Sequence, residues 1–401
     1  MSMLVEEQNS VVDLRKNRIK SLLISQLYKT GKMPINKMAR LIHASIPSVT
    51  NIINDLHQEG WLSEIDVRPS SSGRPPTFYG LNPSKYYTLL LDINRHETQF
   101  VALDLSNEVV YQRTIPLILT NTPTFLDNLY VAASQFLSSN DLPLSKIWGV
   151  GVAMPGLIDS QRGINKTYFR LTSPEESIVS WLEMHFQCPA CLINDTQATT
   201  LGEYRFGLAQ DCAHVLTINI DWGVGMGILI NGNVFNGASG FAGELGHIQA
   251  RPDGELCYCG KRGCVDTLTS AFALIEQAKK GISEGKKTHL TKIGIAKEQL
   301  EALHIIEAAH LGDAFSAQLL HEIGTELGKA LAVAVQLFNP EVIIVSGILA
   351  NAGKFVVAPL DAAIKTQVLP EFMERLDIRM SYLGSKARLL GAQAHLIERL
   401  I

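Results

Sequence analysis

The sequence is poor in charge and lacks a segment suited to export or to crossing a membrane. Charged residues make up 18% of the chain, against about 25% in an average globular protein, and 46% of the residues are hydrophobic. This composition excludes long disordered tails. The first 20 residues have neither the basic start nor the apolar run of a secretory signal. The most apolar stretch, 330–348, is interrupted by Gln336 and Asn339-Pro340, so we expect no bilayer-spanning helix.

Length and cysteine content set further bounds. A chain of 401 residues exceeds what one core fills, so we expect two or three packed units. Without an export signal the protein should be soluble and cytoplasmic, with no membrane insertion. Its six cysteines should then stay reduced.

Acidic residues are missing from one segment near the N-terminus. Residues 14–54 contain eight Lys or Arg and no Asp or Glu, and residues 1–80 carry ten basic against seven acidic residues. The whole chain has a net charge of −4, so the remainder carries −7. The segment favours a polyanionic partner, although a solvated basic face has the same composition.

Apolar spacing predicts three helices within the same segment. The first covers 15–28, the second covers 35–42 after Pro34, and the third begins after Ser45 as N-cap and reaches about residue 58. Four apolar residues share one face of the first helix: Ile19, Leu22, Leu23 and Leu27. Four apolar residues likewise share the inner face of the third: Val49, Ile52, Ile53 and Leu56. The pattern is typical of a helix-turn-helix unit, although three-helix units also serve as plain protein-interaction modules.

The third helix leaves small, polar side chains outward, which suits the major groove of DNA. A hairpin-like stretch, 60–79, follows, and its Gly-Arg-Pro tip predicts a wing whose Arg enters an A·T-rich minor groove. An interdomain linker is the alternative for this stretch. The predicted DNA contacts are Ser45, Pro47, Ser48, Asn51 and Arg74.

Downstream of residue 87 the pattern changes to strands alternating with helices, which predicts an α/β body. Helices are expected at 126–137 and 308–337. Strands are expected at 88–93, 98–104, 108–116, 147–153, 190–193, 215–220 and 342–345.

A cluster of cysteines is the sharpest local signal. His247, Cys257, Cys259 and Cys264 offer three thiolates and one imidazole, the ligand set of a closed, structural zinc site. Glycines between the cysteines let a short loop fold around one ion. A disulfide pair is the alternative.

A second cysteine pair, Cys188 and Cys191, has the spacing of a redox motif. It leads into an apolar strand rather than a helix N-terminus, where a thiolate would be stabilised. We therefore expect buried packing.

Residues 10–401 resemble the ROK family (repressors, open reading frames and kinases), specifically its NagC/XylR-type regulators. The resemblance rests on the cysteine cluster, on the fused helix-turn-helix, and on three short runs: 243–247 (Gly-Glu-Leu-Gly-His), Asn194-Asp195 and 339–341 (Asn-Pro-Glu). It implies a winged helix-turn-helix followed by a two-lobed, actin-like ATPase body with a sugar in the interlobe cleft. The implied domains are 1–82 for DNA binding, 83–193 plus 388–401 for the first lobe, and 194–387 for the second lobe with the zinc site.

The resemblance also implies the sugar ligands. Asp195 matches the family's catalytic base, and Asn194 and Glu244 match ligands of sugar hydroxyls. Asp266 stands where the family has a Glu, so one hydroxyl contact is lengthened or re-aimed. By itself, Asn194-Asp195 would be interpreted as a helix cap.

Three departures from the family pattern lie at the nucleotide contacts. The first phosphate loop, Asp-Ile-Gly-Gly-Thr in family kinases, has lost both glycines and its Thr at residues 94–96. The second, Gly-Thr-Gly-Ile-Gly, begins with Asp221-Trp222, and a carboxylate there repels phosphate. The adenosine-side Gly-Gly is Ser346-Gly347. These losses predict that ATP is not used and that Asp195 is a vestigial base.

The sequence thus predicts a sugar-responsive, DNA-binding repressor of carbohydrate genes with a degenerate kinase-like sensor. Its expected partners are a pseudo-palindromic operator, a sugar or sugar derivative, and further copies of the chain in a homodimer or tetramer. An active ROK sugar kinase with a fused DNA-binding domain is the alternative. A third interpretation is sequestration by a regulatory protein partner.

Overall fold

A computed structural model describes residues 11–65, 77–292 and 297–401. The chain forms two compact units: the first contains residues up to 194 together with 392–401, and the second contains 195–391. No helix within the described ranges is long and apolar enough to cross a membrane. The division into three domains inferred above stays a prediction.

The first unit begins with three helices and a small antiparallel sheet. Strand β3 lies between β1 and β2, so the sheet closes the three helices on one side. The bounds are α1 Val11–Thr30, β1 Lys32–Pro34, α2 Ile35–Leu41, α3 Ile46–Gln58, β2 Leu62–Ile65 and β3 Phe78–Leu81.

Local sequence explains where these helices begin. Pro34 is the N-cap of α2, and the Ser45 hydroxyl accepts a hydrogen bond from the Ser48 amide at the start of α3. The turn between them is made by His43, whose φ is 52°. The three predicted helices, the Ser45 cap and the four-residue inner face of α3 are confirmed. Leu22 is a correction: it is 41% exposed, because it lies at the edge of the apolar face formed by Leu23 and Leu27.

A five-stranded sheet forms the rest of the first unit, in the order β10-β7-β4-β5-β6. All eight residues of β7 are buried, as expected for a central strand covered on both faces. The bounds are β4 Tyr87–Ile93, β5 Thr98–Asp104, β6 Val109–Ile115, α4 Pro123–Ser139, β7 Ile147–Met154, β8 Ile158–Asp159, β9 Ile164–Asn165, α5 Ile178–Phe186 and β10 Ala190–Asn194.

The second unit contains another five-stranded sheet, in the order β13-β12-β11-β14-β15. Strands β11 and β14 are parallel and buried, and β12 pairs antiparallel with β11. The bounds are α6 Asp195–Phe206, β11 Val215–Ile220, β12 Val224–Ile230, β13 Asn233–Val234, α7 Asp266–Thr269, α8 Ala271–Ser283, α9 Ala302–His310, α10 Ala314–Phe338, β14 Val342–Ser346, α11 Lys354–Lys365, α12 Pro370–Met373 and β15 Asp377–Met380. The last helix, α13 Ser385–Leu400, begins in the second unit, and its residues from 392 onward belong to the first.

The single helix expected over 308–337 is wrong. The chain leaves the helix at Leu311 and turns through Gly312, whose φ of 89° interrupts a right-handed helix. Asp313 then starts α10, because its carboxylate accepts the amide and the hydroxyl of Ser316. The apolar period continues across the break, which is why periodicity alone did not reveal it.

Candidate functional site

A loop of the second unit gathers the predicted metal ligands. The ligand atoms of His247, Cys257, Cys259 and Cys264 all lie within 4.8 Å of one another. Gly263 is needed here, because its φ is 65° and a Cβ atom would stand 1.5 Å from the Arg251 carbonyl oxygen. The loop thus brings together four residues that span 18 positions of the chain.

The spacing of these atoms fits a tetrahedral ion. The Sγ atoms of Cys259 and Cys264 are 3.7 Å apart, and the Cys257 Sγ is 3.7 Å from the His247 Nδ1. Zinc–sulfur bonds of about 2.3 Å at tetrahedral angles place two sulfurs about 3.8 Å apart. The donor set is therefore the right size for zinc, with His247 directing Nδ1 at the thiols.

The other ring nitrogen of His247 points away from the cysteines. Its Nε2 is 3.0 Å from the Tyr258 hydroxyl and 3.9 Å from the Glu244 carboxylate, while Lys261 donates to the His247 carbonyl at 2.7 Å. A carboxylate or hydroxyl beside the second nitrogen is the usual way in which a ligating histidine is oriented. Glu244 is thereby linked to the metal-ligand cluster.

Three of the predicted sugar ligands form an acidic cluster in the second unit. Burial, together with the negative charges of Asp195 and Asp266, raises the pKa of Glu244 to about 7. Burial also raises the pKa of Asp195, against the opposing charge of Arg388. The Glu244 side chain is 42% exposed, so a polar ligand can reach it. Carboxylates whose charges oppose one another in this way are typical of sites that bind or transfer protons and hydroxyl groups.

The members of this cluster are held by different contacts. Asp195 is the first residue of α6, and its carboxylate accepts the amide of the neighbouring Thr196 at 2.7 Å, which is not the amide two or three residues further along that a helix cap accepts. Asp266 is 6% exposed, and its Oδ1 accepts the Val224 amide at 2.6 Å. The shorter side chain at 266 therefore anchors the start of β12.

Asn194 ends β10 in the first unit. Its side-chain amide donates to the Gly156 carbonyl at 3.1 Å, which fixes the position of its amide group. Its role as a sugar ligand stays a prediction.

The first phosphate-loop segment is closed by its own side chain. The Asn94 carboxamide oxygen accepts the amides of His96, at 2.8 Å, and of Glu97, at 2.9 Å. In a phosphate-binding loop such amides point at the phosphate oxygens. Here they are already hydrogen-bonded inside the turn.

The second phosphate-loop segment joins β11 to β12. The Asp221 carboxylate accepts the Ile348 amide at 2.8 Å and lies 3.3 Å from the Arg388 guanidinium, and the Trp222 ring packs against Phe272 at 5.0 Å. Asp221, Ile348 and Arg388 border a cavity of about 220 Å³, which Ser346 and Gly347 also line. The carboxylate thus stands at the wall of the space where the resemblance places a nucleotide.

Two residues of the site, Arg388 and Tyr258, were not predicted from the sequence. Arg388 is 167 positions from Asp221 in the chain, so only folding brings the pair together. Tyr258 stands between two cysteines, and that position was the available signal for its contact with His247.

The predicted DNA-contacting surface lies on α3. Ser45, Pro47, Ser48 and Asn51 are all exposed. Arg74 lies outside the described residues. Their roles in binding stay predictions.

Acidic residues of α3 and its C-cap engage two of the basic residues of the N-terminal segment. Lys16 pairs with Asp55, and Lys20 pairs with Glu59. Lys37 and Arg40 on α2 are exposed.

In the second cysteine pair Cys191 is buried, as expected, whereas Cys188 is only partly buried. Cys191 is 1% exposed on β10, and burial raises the pKa of its thiol to about 12. Burial and the nearby Glu183 charge do the same for Cys188. Neither thiol is disposed to form the thiolate that redox exchange requires.

Comparison with known proteins gives consistent matches. A family model described as "ROK family" matches residues 88–399. The chain is 28% identical to the DNA-binding transcriptional dual regulator NagC of Escherichia coli strain K12, over 99% of this chain and 93% of that protein.

Two solved structures extend these matches. A crystal structure of a ROK family transcriptional regulator, described as a homolog of the E. coli MLC protein, is 26% identical, with a TM-score of 0.76, over 95% of this chain and 98% of its own. A ROK family glucokinase from Streptomyces griseus, in complex with glucose and AMPPNP, is 27% identical, with a TM-score of 0.67, over 78% of this chain and 99% of its own. The expected fold class is confirmed.

Proposed function

The chain belongs to the ROK family, and on this basis we propose that it is a sugar-responsive, DNA-binding repressor of carbohydrate genes. One combination carries the proposal: a three-helix, three-stranded unit is followed by a ROK domain in which side chains close both phosphate-loop segments. A protein named as a transcription regulator matches along 99% of the chain, whereas the glucokinase matches along 78%.

The DNA-binding role rests on α3. Its outward residues are small and polar, and exposed basic residues on α2 supply charge for the phosphate backbone. A single recognition helix reads few bases, so the active form is a homodimer or tetramer on a pseudo-palindromic operator. Arg74 supplies the minor-groove contact, and its replacement by Ala weakens binding mainly at A·T-rich positions.

Footprinting with Asn51→Ala tests this interface. Loss of a base-reading side chain costs about 1–3 kcal/mol, so affinity should fall about 5- to 150-fold and specificity should relax at one position in each half-site. The matched control is Gln135→Ala, an exposed polar residue on α4. Protection of a single half-site, or affinity that does not fall as salt rises, would contradict the proposal.

The effector is a sugar or sugar derivative held by Asn194, Asp195, Glu244 and Asp266. Carboxylates accept hydrogen bonds from paired hydroxyl groups, and a carboxamide both accepts and donates them. Binding of the sugar changes the spacing of the paired DNA-binding units and releases the operator. A thermal-shift screen of hexoses, pentoses, N-acetylated amino sugars and their phosphates should find a stabilising ligand that also removes the footprint. The absence of any such ligand would favour control by a protein partner.

Zinc is the metal that fits His247, Cys257, Cys259 and Cys264. With four protein ligands the site is closed, so the ion is structural and holds the loop that carries Glu244. We expect one zinc per chain in protein purified without added metal.

An active sugar kinase is the second candidate, because Asp195 is retained and a glucokinase shares the fold. A base contributes about 10²- to 10⁴-fold, whereas phosphoryl transfer depends chiefly on positioning and neutralising the triphosphate. Asn94 and Asp221 lie in the two phosphate-loop segments that would position the triphosphate, and their side chains already accept backbone amides there. A coupled assay across the same sugars should therefore detect no turnover. A rate near 1 s⁻¹, abolished by Asp195→Ala, would establish the kinase instead.

A further inference from the structure

The Asp221 carboxylate, in the second unit, makes two contacts that the repulsion of a nucleotide phosphate does not explain. Its Oδ1 accepts the Ile348 amide at 2.8 Å, and its Oδ2 lies 3.3 Å from the Arg388 Nη1. Ile348 begins a short helical turn after β14, and Arg388 lies in the first turn of α13. The carboxylate therefore joins the turn after β11 to two segments that are distant in sequence.

The groups around Asp221 are those with which proteins hold a phosphate. A backbone amide and a guanidinium can both donate hydrogen bonds to anionic oxygens, and the guanidinium adds a positive charge. The Arg388 side chain is 13% exposed, so its charge is largely withdrawn from water and requires an anion nearby. Asp221 supplies that anion from within the chain.

We propose that the Asp221 carboxylate is a built-in substitute for a nucleotide phosphate. It takes up the Ile348 amide and the Arg388 guanidinium, and so holds both segments together without a nucleotide. This inference deepens the proposed function, because it presumes that the chain does not use ATP. Asp221 then replaces a phosphate group and does not merely repel one.

An ordinary ion pair would have the same two distances, but removing its acid would not create an anion site. The two interpretations are separated by the roughly 220 Å³ cavity beside the pair, which gives a phosphate group room to enter. If the proposal holds, loss of the carboxylate exposes a preformed set of donors to anions in solution.

The test uses full-length Asp221→Asn with inorganic pyrophosphate as the probe, followed by thermal unfolding at constant ionic strength. Saturating pyrophosphate should raise the Tm of the variant by about 3 °C or more and leave the wild-type Tm unchanged. Asp221→Asn combined with Arg388→Met should lose this response. Asp253→Asn, which removes an exposed acid of the same unit, is the matched control and should gain none.

Asp221→Gly, which places the kinase-type residue at this position, provides a second variant. If either single variant is less stable than the wild type, pyrophosphate should restore its Tm, and chloride at the same ionic strength should not. Absence of a pyrophosphate response in both variants, or its survival in the double variant, overturns the proposal. Binding of ATP or pyrophosphate by the wild-type protein would instead contradict the proposed function, so the two failures are distinguishable.

Discussion

Two groups of acidic residues in the second unit differ in how their negative charge is compensated. On the ligand side, Asp195, Glu244 and Asp266 lie close enough that their charges oppose one another, and the pKa of Glu244 rises to about 7. On the nucleotide side, Asp221 meets a guanidinium and a backbone amide. The first arrangement retains an electrostatic cost, whereas the second is neutralised within the chain.

The two groups of acids therefore differ in how far the chain itself compensates their charge. Arg388 and the Thr196 amide offset part of the charge of Asp195, but the charges of Asp195 and Asp266 still raise the pKa of Glu244, as at many sites that bind ligands or protons. At Asp221, the guanidinium of Arg388 and the amide of Ile348 compensate the charge from within the chain.

Removal of a metal-binding cysteine should have the largest effect on the loop that carries Glu244. Cys259→Ser should lower the zinc content from one per chain to near zero and lower the Tm by about 10 °C or more, because zinc binding is coupled to folding of the loop. Cys212→Ser, in the same unit but outside the cluster, is the control. Metal analysis and thermal unfolding report the two effects. Folded, reduced wild-type protein without zinc would show that the cysteine cluster does not need a metal.

Loss of one carboxylate from the predicted sugar site should weaken binding of the sugar. Glu244→Gln removes a charged acceptor, which is worth about 1.5–3 kcal/mol, so affinity for the sugar found in the screen should fall about 10- to 150-fold. Operator binding without sugar should be unchanged. Isothermal titration and footprinting measure the two properties, with Glu284→Gln, an exposed acid, as control. Equal loss in both variants would show that Glu244 does not contact the sugar.

The free energy of unfolding should depend on pH with opposite signs at two acids that lie at helix starts. The pKa of Asp195 is raised by burial, so its contribution to stability is present below its unfolded value of about 3.8 and is lost as pH rises through the folded pKa. The pKa of Asp313 is lowered by hydrogen bonds from Ser316, His289 and Thr288, which outweigh the opposing effect of burial. Its contribution is therefore present above about 3.8 and is lost as pH falls.

Thermal unfolding between pH 3 and pH 8 checks these opposite signs. Relative to the wild type, Asp195→Asn should gain stability as pH rises, and Asp313→Asn should lose it. Parallel curves for the two variants would mean that the fold does not distinguish ligand-side acids from structural ones.

Local chemistry explains which elements were predictable. The three N-terminal helices, the Ser45 cap and most strands of the body followed from apolar spacing and capping residues. Strand β12 was missed because its alternation of glycines with apolar residues resembled a phosphate loop more than a strand. Leu22 and the break at Gly312 were missed because periodicity does not report which edge of a helix is covered or where a turn reverses.

The sequence by itself determined the donor chemistry: three thiols and an imidazole in one loop, carboxylates at 195, 244 and 266, and the loss of glycine from the phosphate loops. Residue type and short spacing suffice for such inferences. Only the tertiary structure decided that Asp221 meets Arg388, that Asp266 anchors the Val224 amide, and that His247 directs Nδ1 at the cysteines. These contacts join positions that are 10 to 167 residues apart, and their geometry is set by the packing of whole strands and helices rather than by neighbouring residues.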